Sequence, residues 1–207
     1  MTAMQVYRDD GPLGALIGRA SRGVGMGETT LALVGSLVLG IAAALALDPL
    51  PLGALTALVA VAVLIVAAGS QRPHTGRVAW LVPPLLRGLE YGFLIRLTVL
   101  ADRDAMPLCF ALLCVLAFHH YDTVYRLRHQ RVPPPAWLRA AGGGWEGRML
   151  AACVLALAGV LGPGLLVAAL ALGALFVTET VVSWVRFARA ERPAALGDDE
   201  DDEVQDA

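Results

Sequence analysis

Apolar runs long enough to cross a bilayer take up most of this chain, and they limit its fold more than any motif does. A helix needs ~20 mostly apolar residues to cross ~30 Å of hydrocarbon. Six runs meet or approach that length: residues 29–47, 51–69, 78–100, 105–125, 149–161 and 165–185. Asp48-Pro49 closes the first, the polar stretch 70–77 closes the second, and Gly162-Pro163-Gly164 reads as the turn between the last two. The fifth run is short, so its helix is expected to begin inside the preceding loop or to cross with little tilt. None alternates like a barrel strand. The expected fold is therefore all-α: a polytopic integral membrane protein with six transmembrane helices. The 207 residues fit one domain, and 57% of them are hydrophobic. Only 16% are charged, against ~25% in soluble domains. That balance argues against a soluble enzyme, a disordered chain and a nucleic-acid binder. Cys109, Cys114 and Cys153 all lie in apolar runs and read as small buried hydrophobes rather than as disulfides or zinc ligands. No secretory leader is expected, because Asp9, Asp10 and Glu28 precede a first run too long for one.

The basic residues give the runs an orientation. All 16 are arginine, which codon bias in a GC-rich genome explains; their positions need another reason. Thirteen fall before the first run, between the second and third, between the fourth and fifth, or after the sixth. Only Arg103 falls on the opposite side, and Arg87 and Arg96 lie inside the third run. The positive-inside rule then places both termini in the cytoplasm of a multi-pass protein of the inner (plasma) membrane. Residues 1–28 form a cytoplasmic segment. In it Leu13, Leu16, Ile17 and Ala20 predict an amphipathic helix lying on the membrane surface. Residues 29–185 form the six-helix membrane domain, and 186–207 an acidic cytoplasmic tail expected to be disordered. Pro133-Pro134-Pro135 followed by Ala136-Trp137-Leu138 reads as a second interfacial element. All four tryptophans fall near the cytoplasmic interface.

Ionisable residues inside a span are expensive and mark functional sites by default. Here they are Arg87, Glu90, Arg96, His119, His120, Asp122 and Glu179. Arg87 and Glu90 are i, i+3 neighbours that can pair, and His119, Asp122 and Arg126 share one helix face. Two readings stand side by side. In one, Glu90, His119, Asp122 and Glu179 line a cavity open to the cytoplasm, with Arg87, Arg126, Arg128 and Arg148 at its mouth. Guanidinium groups there suit a phosphate or pyrophosphate head group. In the other, the charges pair with one another as staples between helices. Arg96, nearer the outer end, snorkels outward. The string from Gly142 to Arg148, which includes Glu146, has the look of a phosphate cradle but lacks the P-loop and dinucleotide fingerprints. It reads equally as a flexible approach to the fifth span. His119, His120 and Asp122 have no specific metal spacing, so no metal or cofactor is assigned; Mg²⁺ enters only with an enzymatic reading.

Several strings together carry a family resemblance: Trp80-Leu-Val-Pro-Pro, Arg87-x-x-Glu90-Tyr-Gly, His119-His-Tyr-Asp-Thr-Val-Tyr-Arg126, Pro134-Pro-x-Trp-Leu and Gly143-Gly-x-Glu-Gly-Arg148. From about residue 11 to 185 the chain resembles a membrane domain of unknown function from high-GC Gram-positive bacteria. That domain follows a CDP-alcohol phosphatidyltransferase domain in larger proteins. The resemblance implies a setting in lipid or glycan head-group synthesis and a separate membrane-bound phosphatidyltransferase as partner. The transferase signature itself, Asp-x-x-Asp-Gly-x-x-Ala-Arg followed by Gly-x-x-x-Asp-x-x-x-Asp, is lacking.

The function expected is thus an accessory membrane module. It binds a phosphate-bearing lipid or a partner transferase through Arg87, Glu90, His119, Asp122, Arg126, Arg128, Glu146, Arg148 and Glu179. One alternative is an uncharacterised membrane transferase acting on phospholipid or polyprenyl phosphate, with Asp122, Glu90 and Glu179 around Mg²⁺. Another is a small transporter with Glu90 and His119 as proton-coupled groups. Expected partners are membrane lipids, the transferase and a second copy of the chain in a homo-oligomer; nucleic acid is not among them.

Overall fold

A computed structural model describes residues 3–23, 25–45, 51–73 and 77–201. Among these residues the chain is all helix and turn, with no strand. The elements are α1 (Ala3–Tyr7), α2 (Pro12–Ala20), α3 (Glu28–Leu45), α4 (Leu52–Ala67), α5 (Val82–Ala101), α6 (Met106–His129), α7 (Ala136–Ala141), α8 (Gly144–Leu157) and α9 (Leu161–Asp201). Each apolar run of the sequence corresponds to one of the six longer helices, α3, α4, α5, α6, α8 and α9. The segments Arg103–His129 and Leu161–Arg189 are long and apolar enough to cross a membrane; Glu28–Ile41 and Leu52–Ala67 are apolar but shorter. Helix α5 has the length, but Arg87, Glu90 and Arg96 lower its hydropathy, and α8 has only 14 residues.

Prolines set several helix starts. Pro83 lies in the first turn of α5 and Pro107 in that of α6, where a missing N–H costs nothing. The same rule corrects one expectation. Gly162-Pro163-Gly164 is not the turn but the first turn of α9, and the chain reverses just before it, at Gly159, whose φ is +71°. Helix α8 begins at Gly144, inside the preceding loop, as its short apolar run implied. Helix α9 continues past residue 185 to Asp201. The Asp48-Pro49 reversal and residues 202–207 lie outside the described residues.

Helices α3 and α4 pack closely because Gly35 leaves room for Val66: a Cβ at Gly35 would lie 2.2 Å from that side chain. Helix α9 packs along α6, and α8 packs on α5. Val59, Leu86, Leu97, Cys109, Leu116 and Met149 are fully buried between them. Cys153 is buried too, whereas Cys114 is exposed, contrary to the expectation of burial, because it falls on the outer face of α6. Large apolar side chains also cover the outside: Leu37, Phe110, Val154 and Leu170 are each about two-thirds exposed.

Helix α2 is amphipathic in an unusual sense. Leu13 and Leu16 face outward, while Gly14 and Gly18 form the inner face. Ser70 Oγ donates to the Gly14 carbonyl at 2.5 Å, and a Cβ at Gly18 would lie 2.2 Å from that oxygen. Trp80 and Trp137 are exposed, whereas Trp145 is buried, its indole nitrogen donating to Asp10 of the N-terminal segment.

Candidate functional site

The polar ends of α5, α6 and α8 meet the turn between α1 and α2, and charged groups converge there out of water. Arg148, in the first turns of α8, is the hub. Its Nε donates to Glu90 Oε1 at 2.6 Å, its Nη2 to Asp9 Oδ2 at 2.8 Å and its Nη1 to the Gly142 carbonyl at 3.2 Å. Glu90 has no exposure and is gripped from the other side by Arg87 Nη1 at 2.7 Å. Arg87 Nη2 also donates to the Arg8 carbonyl. Two guanidiniums thus enclose one carboxylate and tie α5, α8 and the N-terminal turn together.

Asp9 faces two guanidiniums and two imidazoles. His119 Nε2 lies 3.5 Å from Oδ1, His120 Nε2 lies 3.4 Å from Oδ2, and Arg87 Nη1 lies 3.9 Å from Oδ2. Burial disfavours the charge of Asp9, but Arg148, the two imidazoles and Arg87 outweigh it and hold the carboxyl well below the usual carboxylate range. Its backbone is left-handed, with φ 54°, a conformation that Asp tolerates better than most residues. Next door, Arg8 is wholly buried; it binds Asp10 at 2.7 Å, Glu28 at 2.6 Å and the Val66 carbonyl at 3.3 Å. Asp10 in turn accepts from Trp145 Nε1 at 2.9 Å.

The glycine-rich loop before α8 is not an empty phosphate cradle, because the N-terminal segment of the chain fills it. The amides of Gly11 and Gly14 both donate to Glu146 Oε1, at 2.7 and 2.8 Å. The Trp145 amide donates to the Asp9 carbonyl at 3.3 Å. A Cβ at Gly11 would lie 2.3 Å from the Gly143 carbonyl oxygen, and one at Gly144 would lie 2.1 Å from the Gly11 nitrogen. Gly143 and Gly144 have φ of +75° and +65°, so backbone conformation calls for glycine at both, and space calls for it at Gly144 as well.

A second cluster joins α6 to α9. Arg126 Nε lies 2.7 Å from Asp122 Oδ2, and its Nη1 donates to Glu179 Oε1 at 2.9 Å; Nη2 pairs with Glu179 Oε2. Thr180 Oγ1 and Trp184 Nε1 donate to Asp122 at 3.1 and 3.3 Å.

The candidate residues therefore divide. Arg87, Glu90, His119 and Arg148 meet around Asp9; Asp122, Arg126 and Glu179 form the second group; Glu146 fastens α2; and exposed Arg128 joins none of them. The i, i+3 pairing of Arg87 with Glu90 and the shared face of His119, Asp122 and Arg126 are both present, all three of the latter being buried. Arginines partition the acidic groups: Arg87 and Arg148 hold Glu90, and Arg126 holds Asp122 and Glu179. Among the described residues, no three His, Cys, Asp or Glu side chains converge as metal ligands. Sequence reasoning missed Arg8, Asp9 and Asp10. Their one signal is a charged triplet leading directly into the Gly-Pro-x-Gly start of a surface helix.

Cavities adjoin the first cluster. An apolar cleft of about 620 Å³ runs between α8 and α9, from Pro163 and Gly164 at one end to Gly142, Gly143 and Arg148 at the other. A smaller pocket of about 300 Å³ opens beside Asp9, Arg87 and His120.

The chain belongs to a family of unknown function, DUF5941, whose model matches residues 1–203. No curated protein and no solved structure matches it.

The Glu146 clamp predicts a loss of stability. Glu146→Ala leaves the buried Gly11 and Gly14 amides without their acceptor, so it should lower the stability of the full chain in detergent by about 2 kcal/mol or more. An unchanged unfolding midpoint in the variant would refute the clamp.

Proposed function

We propose that this is a six-span protein of the inner (plasma) membrane with both termini cytoplasmic. It serves head-group chemistry on phosphate-bearing lipids as a non-catalytic partner of a separate CDP-alcohol phosphatidyltransferase. Six helices match six apolar runs. The α1–α2 segment, α7 and the polar ends of α5, α6 and α8 belong to the arginine-rich side of the sequence. Arg103 lies at the other end, where Asp102 approaches the start of α9 at Gly162. The broad outer cover of exposed leucine, valine and phenylalanine suits lipid as the surrounding solvent and is far more than a soluble monomer exposes.

The observation that carries lipid binding is the cleft between α8 and α9. Its walls are alanine, leucine, glycine and valine, and its polar end is closed by Gly142, Gly143 and Arg148. Helix α8 is about 21 Å long at ~1.5 Å per residue, a fit for a single hydrocarbon chain lying along it. A lipid seated so has its phosphate on the arginine-rich side. The geometry favours this role over the Mg²⁺-dependent transferase, because Arg148 and Arg87 hold Glu90 apart from the Asp122–Glu179 pair.

Topology is tested by single cysteines in a background lacking the native three. Positions 103 and 163 should label from outside intact cells and position 140 should not; the reverse pattern refutes the orientation. Lipid binding is tested by native mass spectrometry of the purified chain. A phosphate-bearing lipid should remain bound, and Ala171→Phe, which fills the cleft, should lower its retention about fivefold or more at unchanged melting temperature. Equal retention in the variant refutes the cleft as the site.

A further inference from the structure

The pocket beside Asp9 is separate from the cleft, and its chemistry is different. It lies between the α1–α2 turn and the first turns of α5, against the polar half of α6. Tyr7, Asp9, Trp80, Arg87, His120 and Thr123 line it. Its two charged walls carry opposite signs. Arg87 Nη1 and Asp9 Oδ2 stand 3.9 Å apart; the first is paired with Glu90 and the second with Arg148, so neither is closed onto the other across the pocket. The charges immediately behind them balance: Asp9 and Glu90 face Arg87 and Arg148.

A balanced cluster exerts no net pull on an anion, and a bare phosphate entering the pocket would meet the Asp9 carboxylate. A ligand carrying both signs matches both walls. The aromatic rings add to one side of that match, since a cation over the face of Trp or Tyr gains ~0.5–2 kcal/mol. The rim is apolar and outward-facing: Trp80 is 60% exposed and Val124 45%, with Pro84 beside them. Hydrocarbon attached to the ligand therefore has a surface to follow out of the pocket.

We propose that this pocket takes the head group of a zwitterionic, ammonium-bearing phospholipid. Its ammonium lies against Asp9 and the rings of Tyr7 and Trp80, and its phosphate against Arg87. The lipid, rather than a soluble phosphoamine, is the occupant, because the rim continues into the lipid-facing surface. The site stands apart from the α8–α9 cleft and does not depend on it.

The test is native mass spectrometry of the full chain in detergent, titrated with phosphatidylethanolamine, phosphatidylglycerol of the same acyl chains, or soluble phosphoethanolamine. Phosphatidylethanolamine should bind about fivefold or more tighter than phosphatidylglycerol, the worth of about one lost charge or cation–π contact. Soluble phosphoethanolamine should not compete at equal concentration. Trp80→Ala, at the exposed rim, should abolish the preference without loss of fold. Asp9→Asn, which keeps the left-handed backbone, should abolish the preference too, at a lowered melting temperature because Asp9 also ties the N-terminal turn to Arg148. Equal affinity for the two lipids, a preference that survives Trp80→Ala, or competition by the soluble head group would each overturn the proposal. Ala171→Phe separates the two sites: it lowers total lipid retention through the cleft and leaves the ethanolamine preference in place.

Discussion

Arg148 holds two carboxylates that belong to different parts of the chain, and the polar end of the bundle is organised around that grip. Glu90 comes from α5 and Asp9 from the N-terminal turn, 58 and 139 residues away in sequence. A buried carboxylate without a partner is strongly destabilising, of order 3–5 kcal/mol when its partner is removed. Once Glu90 is placed inside a helix bundle, Arg148 and Arg87 must reach it, and their remaining donors then require Asp9 and the Arg8 carbonyl. The close approach of Gly11 to Gly143 and Gly144 follows from the same demand. The N-terminal turn has to come within reach of α8, and only glycine permits the backbones to touch.

The consequence is a division of the polar residues into two units. One joins the N-terminal turn, α5, α6 and α8 around Asp9; the other joins α6 to α9 through Arg126. Helix α6 belongs to both, with His119 turned to Asp9 and stacked on Phe176 at 4.0 Å, and Asp122 turned to Arg126. Charges paired so completely brace helices. The open space lies beside them, in the cleft that Arg148 closes and in the pocket that Arg87 lines. The proposed ligands lie next to the ion clusters, at positions the clusters fix.

Much of the fold was legible because apolar run length and helix length are the same quantity. The positions of the six longer helices, the proline start of α5 and the early start of α8 all follow from local pattern. The turn before α9 was misplaced because Gly-Pro-Gly signals a turn and a helix start equally well, and only packing decides. The local pairs Arg87–Glu90 and Asp122–Arg126 were visible at helical spacing. Asp9 was not, because a tail residue gives no periodic signal and its partners lie 111 and 139 residues away. Glu146 was visible as part of a motif, but its role reversed. It receives amides from the chain's own N-terminal segment, and nothing in the loop sequence tells an internal ligand from an external one.

The claim on which the rest depends is that the N-terminal turn is part of the bundle through Asp9 and Arg148. A double-mutant cycle of Asp9→Asn and Arg148→Gln, read by equilibrium unfolding of the full chain in detergent, tests it directly. A coupling energy of about 1–3 kcal/mol is expected between the two positions. Additivity within about 0.5 kcal/mol would contradict it.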